Sequence, residues 1–155
     1  MVAPPRGKNP QAVLFACAQN AVRSPMAESL LQQMFPHGLY VKSADAKKGE
    51  LDPFAVAVMA ELGQDISRHK PQTFEELEDW EGLNFDLIIT LSPEAHHKAL
   101  DLTRTLAADV EYWPTHDPST SDGNREQKLD AYREVCDQLL LRIRRRFARV
   151  GAASG

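Results

Sequence analysis

Ala12-Val13-Leu14-Phe15-Ala16-Cys17-Ala18-Gln19-Asn20-Ala21-Val22-Arg23-Ser24-Pro25 is the stretch on which the reading of this chain turns. Its opening residues, Ala12–Ala16, are wholly apolar, as expected of a short strand buried on both faces. Its closing residues lead into Met26, Leu30, Leu31 and Met34, whose spacing predicts a helix over Ser24–Phe35. A buried strand that passes within a few residues into a helix is the building unit of a parallel α/β sheet.

The unit recurs along the chain. Leu39–Ser43, Phe85–Leu91 and Val110–Trp113 read as further strands. Asp52-Pro53 and Ser92-Pro93 each place a capping side chain before proline at the first helical position. They predict helices running to about Leu62, ahead of Gly63, and to about Leu106. A short helix fits Phe74–Trp80. A long one fits Arg125–Ala148, with Leu129, Tyr132, Cys136, Leu139, Ile143 and Phe147 on one stripe. The expected fold is therefore α/β: a single doubly wound domain with a four-stranded parallel sheet, right-handed crossovers and helices on both faces. It spans residues 11–150, between a flexible N-terminal tail (1–10) and a loose C-terminal tail (151–155). In such sheets ligands bind outside the carboxyl ends of the strands. Three polar loops leave those ends: Cys17–Arg23, Ser43–Asp52 and Pro114–Asn124.

The composition is that of an ordinary soluble globular protein. The chain has 155 residues, 43% hydrophobic and 26% charged, enough for one sizeable core. No apolar run approaches the ~20 residues that span a bilayer, and residues 1–10 lack the apolar core of a signal peptide. A cytoplasmic location without membrane attachment is expected. The formal net charge of −4 gives no general attraction to nucleic acid, so none is expected as a partner. The cluster Arg142, Arg144, Arg145, Arg146 and Arg149 reads as a solvated face near a helix C-terminus. The two cysteines, Cys17 and Cys136, make no disulfide framework, and Cys136 falls on an apolar stripe. Adjacent His96 and His97 face different directions and make a poor metal pair. Trp80 and Trp113 read as packing residues. No metal or cofactor is expected.

The Cys-x5-Arg-Ser spacing carries the chemistry. A loop of small and polar residues, Ala18, Gln19, Asn20, Ala21 and Val22, can wrap one tetrahedral anion with inward N–H groups. The following helix N-terminus adds partial positive charge. Arg23 supplies a planar fork for two phosphate oxygens. The same field acts on Cys17, whose thiol is expected to drop from ~8.5 into the range ~3.5–7.5 and rest as the nucleophilic thiolate. Ser24 is placed to donate to that anion, and Asn20 suits a left-handed turn that ties the loop together. Cleavage of an ester also needs a proton for the departing oxygen. Asp117, in Thr115-His116-Asp117-Pro118, follows the fourth strand, and Pro118 biases it toward an extended conformation.

These residues resemble the low-molecular-weight protein tyrosine phosphatases, whose fold is shared with thioredoxin-coupled arsenate reductases. The resemblance runs from about Ala12 to Phe147. It rests on Cys17, Asn20, Arg23, Ser24 and Pro25 in the loop and on Asp117-Pro118 later. It implies that Cys17 forms a phosphocysteine intermediate, that Arg23 binds the phosphoryl group, and that Asp117 acts first as acid and then as base. It further implies that Asn20 and Ser24 shape the loop and that Ser43 braces the loop asparagine. The implied activity is hydrolysis of phosphate monoesters, protein phosphotyrosine or small aryl phosphates, with inorganic phosphate or a similar oxyanion able to occupy the loop. Two alternatives stand beside it: an arsenate reductase using an external thiol, and a non-catalytic phosphate-binding module. The chain departs from the family pattern in three places. Val22 stands where many members carry a second cysteine, Ser119 and Thr120 stand where many carry tyrosines, and Ala46–Leu51 lacks an aromatic gate. An open, polar rim is expected, with Lys47 and Lys48 attracting acidic substrate segments, and with Phe54, Tyr112 and Trp113 facing the core. The third strand ends in Leu91-Ser92 with no cysteine nearby, where a thioredoxin-coupled relay requires further cysteines.

Overall fold

The computed structural model describes residues 10–18 and 21–154, with side chains described for all of these except 81 and 148–154. The expected N-terminal tail therefore lies, but for Pro10, outside the described residues.

Four strands, β1 (Ala12–Ala16), β2 (Tyr40–Ser43), β3 (Leu87–Thr90) and β4 (Asp109–Tyr112), form one sheet in the order β2-β1-β3-β4. All three pairings are parallel, and Phe15 is in register with Ser43 on one side and Ile89 on the other. The chain runs from β1 outward to β2, then returns to add β3 and β4 on the opposite side. The strand order thus reverses at β1, the position at which open α/β sheets form their ligand crevice.

Alternation along β1 sorts the two cores. Val13, Phe15 and Cys17 face α1 (Arg23–Met34), α2 (Pro53–Glu61) and α5 (Arg125–Ser154). Leu14 and Ala16 face α3 (Phe74–Glu81) and α4 (Pro93–Leu102). Both faces are covered, which is why β1 is apolar throughout and β3 is apolar up to Thr90. Cys17 continues the alternation of Val13 and Phe15, so it lies over the α1 and α5 side.

Helix starts are locally encoded. Asp52 caps α2 through the Phe54 N–H, and Ser92 caps α4 through the Ala95 N–H, each ahead of proline. Thr73 and Glu76 exchange side chain-to-backbone bonds at α3, as Asn124 and Gln127 do at α5. Helix α1 differs: Val22 precedes it and no side chain caps it. Its first N–H groups therefore face what lies before the helix, which is the Cys17 loop.

Some expectations need correction, while the buried positions expected for Trp113 and Cys136 are found. Trp80 does not pack; it lies on the outer face of α3 and is 86% exposed. Tyr112 does not face the core either; it is half-exposed and stacks on His96, centroids 4.6 Å apart. Trp113 is buried edge-on against Phe15. Helix α4 stops at Leu102 rather than near Leu106. Helix α5 continues to Ser154, past the expected end near Ala148 and through most of the expected C-terminal tail. Cys136 is in the core, 3.9 Å from Met59 Sδ. Of the arginine cluster, Arg146 is bound to Glu111 at 2.8 Å and sits over the Phe147 ring. Among the described residues, no helix is long and apolar enough to cross a membrane.

Candidate active site

The carboxyl ends of β1, β2 and β4 bring the three polar loops together. Cys17, Ala18, Ala21, Val22 and Arg23 from the first, Glu50–Pro53 from the second, and Asp117 and Ser119 from the third line one open cleft of about 360 Å³. Of the residues expected to cradle an anion, Gln19 and Asn20 lie outside the described residues. The loop is tied to the α2 start, because the Asp52 N–H donates to the Ala21 carbonyl at 3.1 Å.

Cys17 is buried at the base of the cleft. Its Sγ accepts the Ser24 N–H at 3.3 Å, one of the uncapped donors of α1. It lies 3.2 Å from Ser24 Oγ and 3.3 Å from Asp45 Oδ2, with Ser24 Oγ donating to the same Oδ2 at 3.3 Å. Burial and the Asp45 carboxylate together push the Cys17 thiol up to about 11, against the opposing pull of Ser24 and Arg23. Burial and the adjacent carboxylate oppose the expected thiolate, while the helix terminus and the arginine favour it.

Arg23 is buried, and its guanidinium spans the cleft floor. Nη1 donates to the Thr115 carbonyl at 2.9 Å, and Nη2 lies 3.8 Å from Asp117 Oδ2. The planar fork is thereby held at a fixed angle by the loop that carries the acid. Asp117 has extended backbone and opens a single 3-10 turn, Pro118–Thr120. Its Oδ1 accepts from the Ser119 N–H at 3.0 Å and from Ser119 Oγ at 2.7 Å. One carboxylate oxygen is thus fixed by the loop while the other faces Arg23 and the cleft. Tyr132 on α5 donates to Asp52 Oδ2 at 2.6 Å, bracing the cleft wall. Burial, then Asp52 and Asp117, raise its phenol well above the ordinary range.

Ser43 is buried and donates to Glu28 Oε1 at 2.6 Å. The brace from Ser43 to the loop asparagine cannot be traced, since Asn20 lies outside the described residues. The rim is open and polar as expected, but the charge expected there is reversed. Lys48 is bound to Glu76 on α3 at 2.7 Å. Among the described residues lining the cleft, the acids are Glu50, Asp52 and Asp117, and Arg23 is the cation. As expected, no aromatic side chain is among the described residues lining the cleft, although Phe54 packs on Tyr132 just beyond, centroids 5.4 Å apart.

Sequence reasoning missed Asp45, Glu50, Asp52 and Ser119 as site residues. For Asp45 a signal existed: it directly follows Ser43-Ala44 at the carboxyl end of a strand adjacent to β1.

The profile of the family described as "Low molecular weight phosphotyrosine protein phosphatase" matches residues 12–153. An arsenate reductase of Bacillus licheniformis is 33% identical over 139 residues, 90% of this chain and 96% of that protein. A probable low molecular weight protein-tyrosine-phosphatase, EpsP of Ralstonia solanacearum, is 49% identical over 63 residues, 39% of this chain and 43% of its own length. Among solved structures, the Erwinia amylovora tyrosine phosphatase amsI superposes with a TM-score of 0.72 at 20% identity, covering 93% of this chain and 95% of that one. An arsenate reductase in the phosphate-binding state superposes with a TM-score of 0.67 at 25% identity, covering 90% and 98%.

Proposed function

The chain belongs to the low molecular weight phosphotyrosine protein phosphatase family, and from that premise we propose that it hydrolyses phosphate monoesters through a phosphocysteine intermediate on Cys17. The observation that carries this reading is the convergence of Cys17, Arg23 and Asp117 in one cleft. The phosphoryl group sits on the α1 N-terminus and the Arg23 fork. Sγ attacks phosphorus from the cleft base, and Asp117 passes a proton to the departing oxygen. Asp117 then takes a proton from water as that water attacks the phosphocysteine. Substrates are small aryl phosphates or phosphotyrosine in segments that are not acidic, since Glu50, Asp52 and Asp117 line the entrance.

The similarity to arsenate reductases over 90% of the chain supports a second reading, reduction of arsenate bound in the same loop. Reduction of arsenate to arsenite consumes two electrons. Cys17 is the sulfur that lines the cleft, while Cys136 lies in the core beside Met59. A second, external thiol must therefore complete the disulfide. The deciding experiment compares turnover of an aryl phosphate with arsenate-dependent oxidation of added glutathione. Phosphate release without arsenate-dependent thiol oxidation supports the phosphatase. Thiol oxidation by arsenate with no phosphate release supports the reductase.

A further inference from the structure

A second cavity, of about 250 Å³, opens beside the catalytic cleft and shares three of its lining residues, Asp52, Pro53 and Ser119. The mechanism above makes no use of it. It lies between the start of α2, the turn after Asp117 and the first turn of α5. Pro53, Phe54, Pro118 and Tyr132 make its walls largely apolar, and Lys128 is the one cation among the described lining residues.

These walls are held in place. The Arg125 guanidinium carbon lies 5.5 Å from the Phe54 ring centroid, and the Tyr132 ring lies 5.4 Å from it, tilted by 46°. Asp52 is engaged at both oxygens: Oδ1 accepts the Phe54 N–H at 2.8 Å, and Oδ2 accepts the Tyr132 hydroxyl at 2.6 Å. Its carboxylate therefore braces the wall. The partition toward the catalytic cleft is low, because Ser119 has a short side chain whose Oγ is bound to Asp117 Oδ1 at 2.7 Å.

We propose that this cavity is a substrate subsite, which takes an aromatic side chain close in sequence to the phosphotyrosine whose phosphoryl group sits over Cys17. The proposal rests on the phosphatase reading above. Size, lining and charge select this occupant. A cavity of about 150 Å³ already holds one benzene ring, so this larger one holds a ring-bearing side chain. The Phe54 and Tyr132 rings offer tilted and edge contacts to a third ring. A neutral ring passes Glu50 and Asp117 without repulsion, and at the far side it meets the Lys128 ammonium, which is attracted to a ring face. A carboxylate side chain reaches Lys128 only by passing two like charges. The shared walls set the reach, roughly one or two residues from the phosphorylated position.

The test uses otherwise neutral phosphotyrosine peptides that carry Phe, Ala or Glu in turn at the two positions on either side of the phosphotyrosine. For each, kcat/KM is measured with phenyl phosphate as the reference substrate, and affinity is measured by calorimetry on Cys17→Ser. At one or more of these positions Phe is expected to exceed Ala by at least about tenfold in both measurements, and to exceed Glu. In Phe54→Ala the Phe-to-Ala ratio at that position falls at least about fivefold. A general loss of activity from disturbed packing cancels in this ratio. Lys128 is partly exposed on α5, so Lys128→Met keeps the apolar stem and removes the charge, and there the ratio falls about two- to fivefold. If Phe54→Ala does not fold, Lys128→Met decides. Equal values for the Phe and Ala peptides at all four positions, a preference for Glu, or an unchanged ratio in either variant overturns the subsite. Hydrolysis of phenyl phosphate without any preference for Phe removes the subsite and keeps the phosphatase reading. If the wild-type protein hydrolyses neither phenyl phosphate nor peptide, the phosphatase reading fails, and the Cys17→Ser affinities alone decide whether the cavity selects an aromatic side chain.

Discussion

Asp117→Ala tests the division of labour in the cleft most directly. The substitution removes the carboxylate whose Oδ1 is fixed by two bonds from Ser119 and whose Oδ2 faces Arg23 Nη2 at 3.8 Å. It leaves Cys17 and its contacts to Ser24 and Asp45 untouched. It also leaves the Arg23 bond to the Thr115 carbonyl, because that carbonyl belongs to backbone two residues away. The phosphoryl cradle therefore persists and the loss falls on proton delivery. A positioned general acid contributes about 10²–10⁴-fold, roughly 2.7–5.4 kcal/mol of barrier. That contribution is felt only where the departing oxygen is basic. Steady-state kcat/KM for phenyl phosphate should fall through most of this range. For dinitrophenyl phosphate, whose leaving group departs as a stable anion, it should fall less than about tenfold. KM should not rise, since Asp117 adds negative charge to the site rather than a contact to the dianion. Equal losses on the two substrates would refute the assignment and direct attention to another proton donor, with Asp45 the first to examine.

Three further outcomes follow from the same geometry. Cys17→Ser should abolish turnover while keeping phosphate affinity measurable by calorimetry; residual activity above about 1% of wild type removes Cys17 as nucleophile. Arg23→Lys keeps the charge but cannot reach both the Thr115 carbonyl and two phosphoryl oxygens, so one charge-assisted bond of about 1.5–3 kcal/mol is lost, and kcat/KM should fall ~10–150-fold. Stability should fall as pH rises from about 9 to about 11, because the Cys17 and Cys136 thiols are each raised from 9.0 to about 11, chiefly by burial. A raised thiol favours folding below the unfolded value, and that contribution is lost on passing the folded value. Each accounts for about 2–3 kcal/mol. In melts across this range Cys136→Ala should flatten the decline; an unchanged slope counts against a desolvated Cys136.

The fold was readable because its determinants are local. The largely apolar β1 and β3 read as central strands, and Asp52-Pro53 and Ser92-Pro93 mark the starts of α2 and α4 to the residue. What was misjudged depended on partners distant in sequence. Trp80 reads as core by composition, yet α3 packs through Phe74 and Leu77 and leaves Trp80 on its outer face. Tyr112 ends β4, the edge strand, where a neighbouring helix residue, His96, decides its environment. Lys48 looked available to an incoming substrate because the partner it takes is distant in sequence. Glu76, 28 residues later, takes it.

The site divides along the same line. Cys17, Arg23 and Ser24 are spaced within one loop, so their chemistry could be read as a motif. Asp117 needed the sheet order to bring β4's exit toward β1's, and that order follows from the parallel crossovers. Asp45 needed more. Its importance is not in its neighbours along the chain but in its burial, and burial of a carboxylate follows from the bridge to Thr73 closing over it. The motif alone leads to a thiolate, because it contains the positive features that lower a thiol and none that raise it. Burial and then Asp45, from outside the motif, act in the opposite direction. A nucleophile's resting protonation state is thus a tertiary property, even where its identity is a local one. The alkylation midpoint of Cys17 separates the two: a value below about 7 means the loop alone governs the sulfur, and a value above about 9 means the β2 exit does.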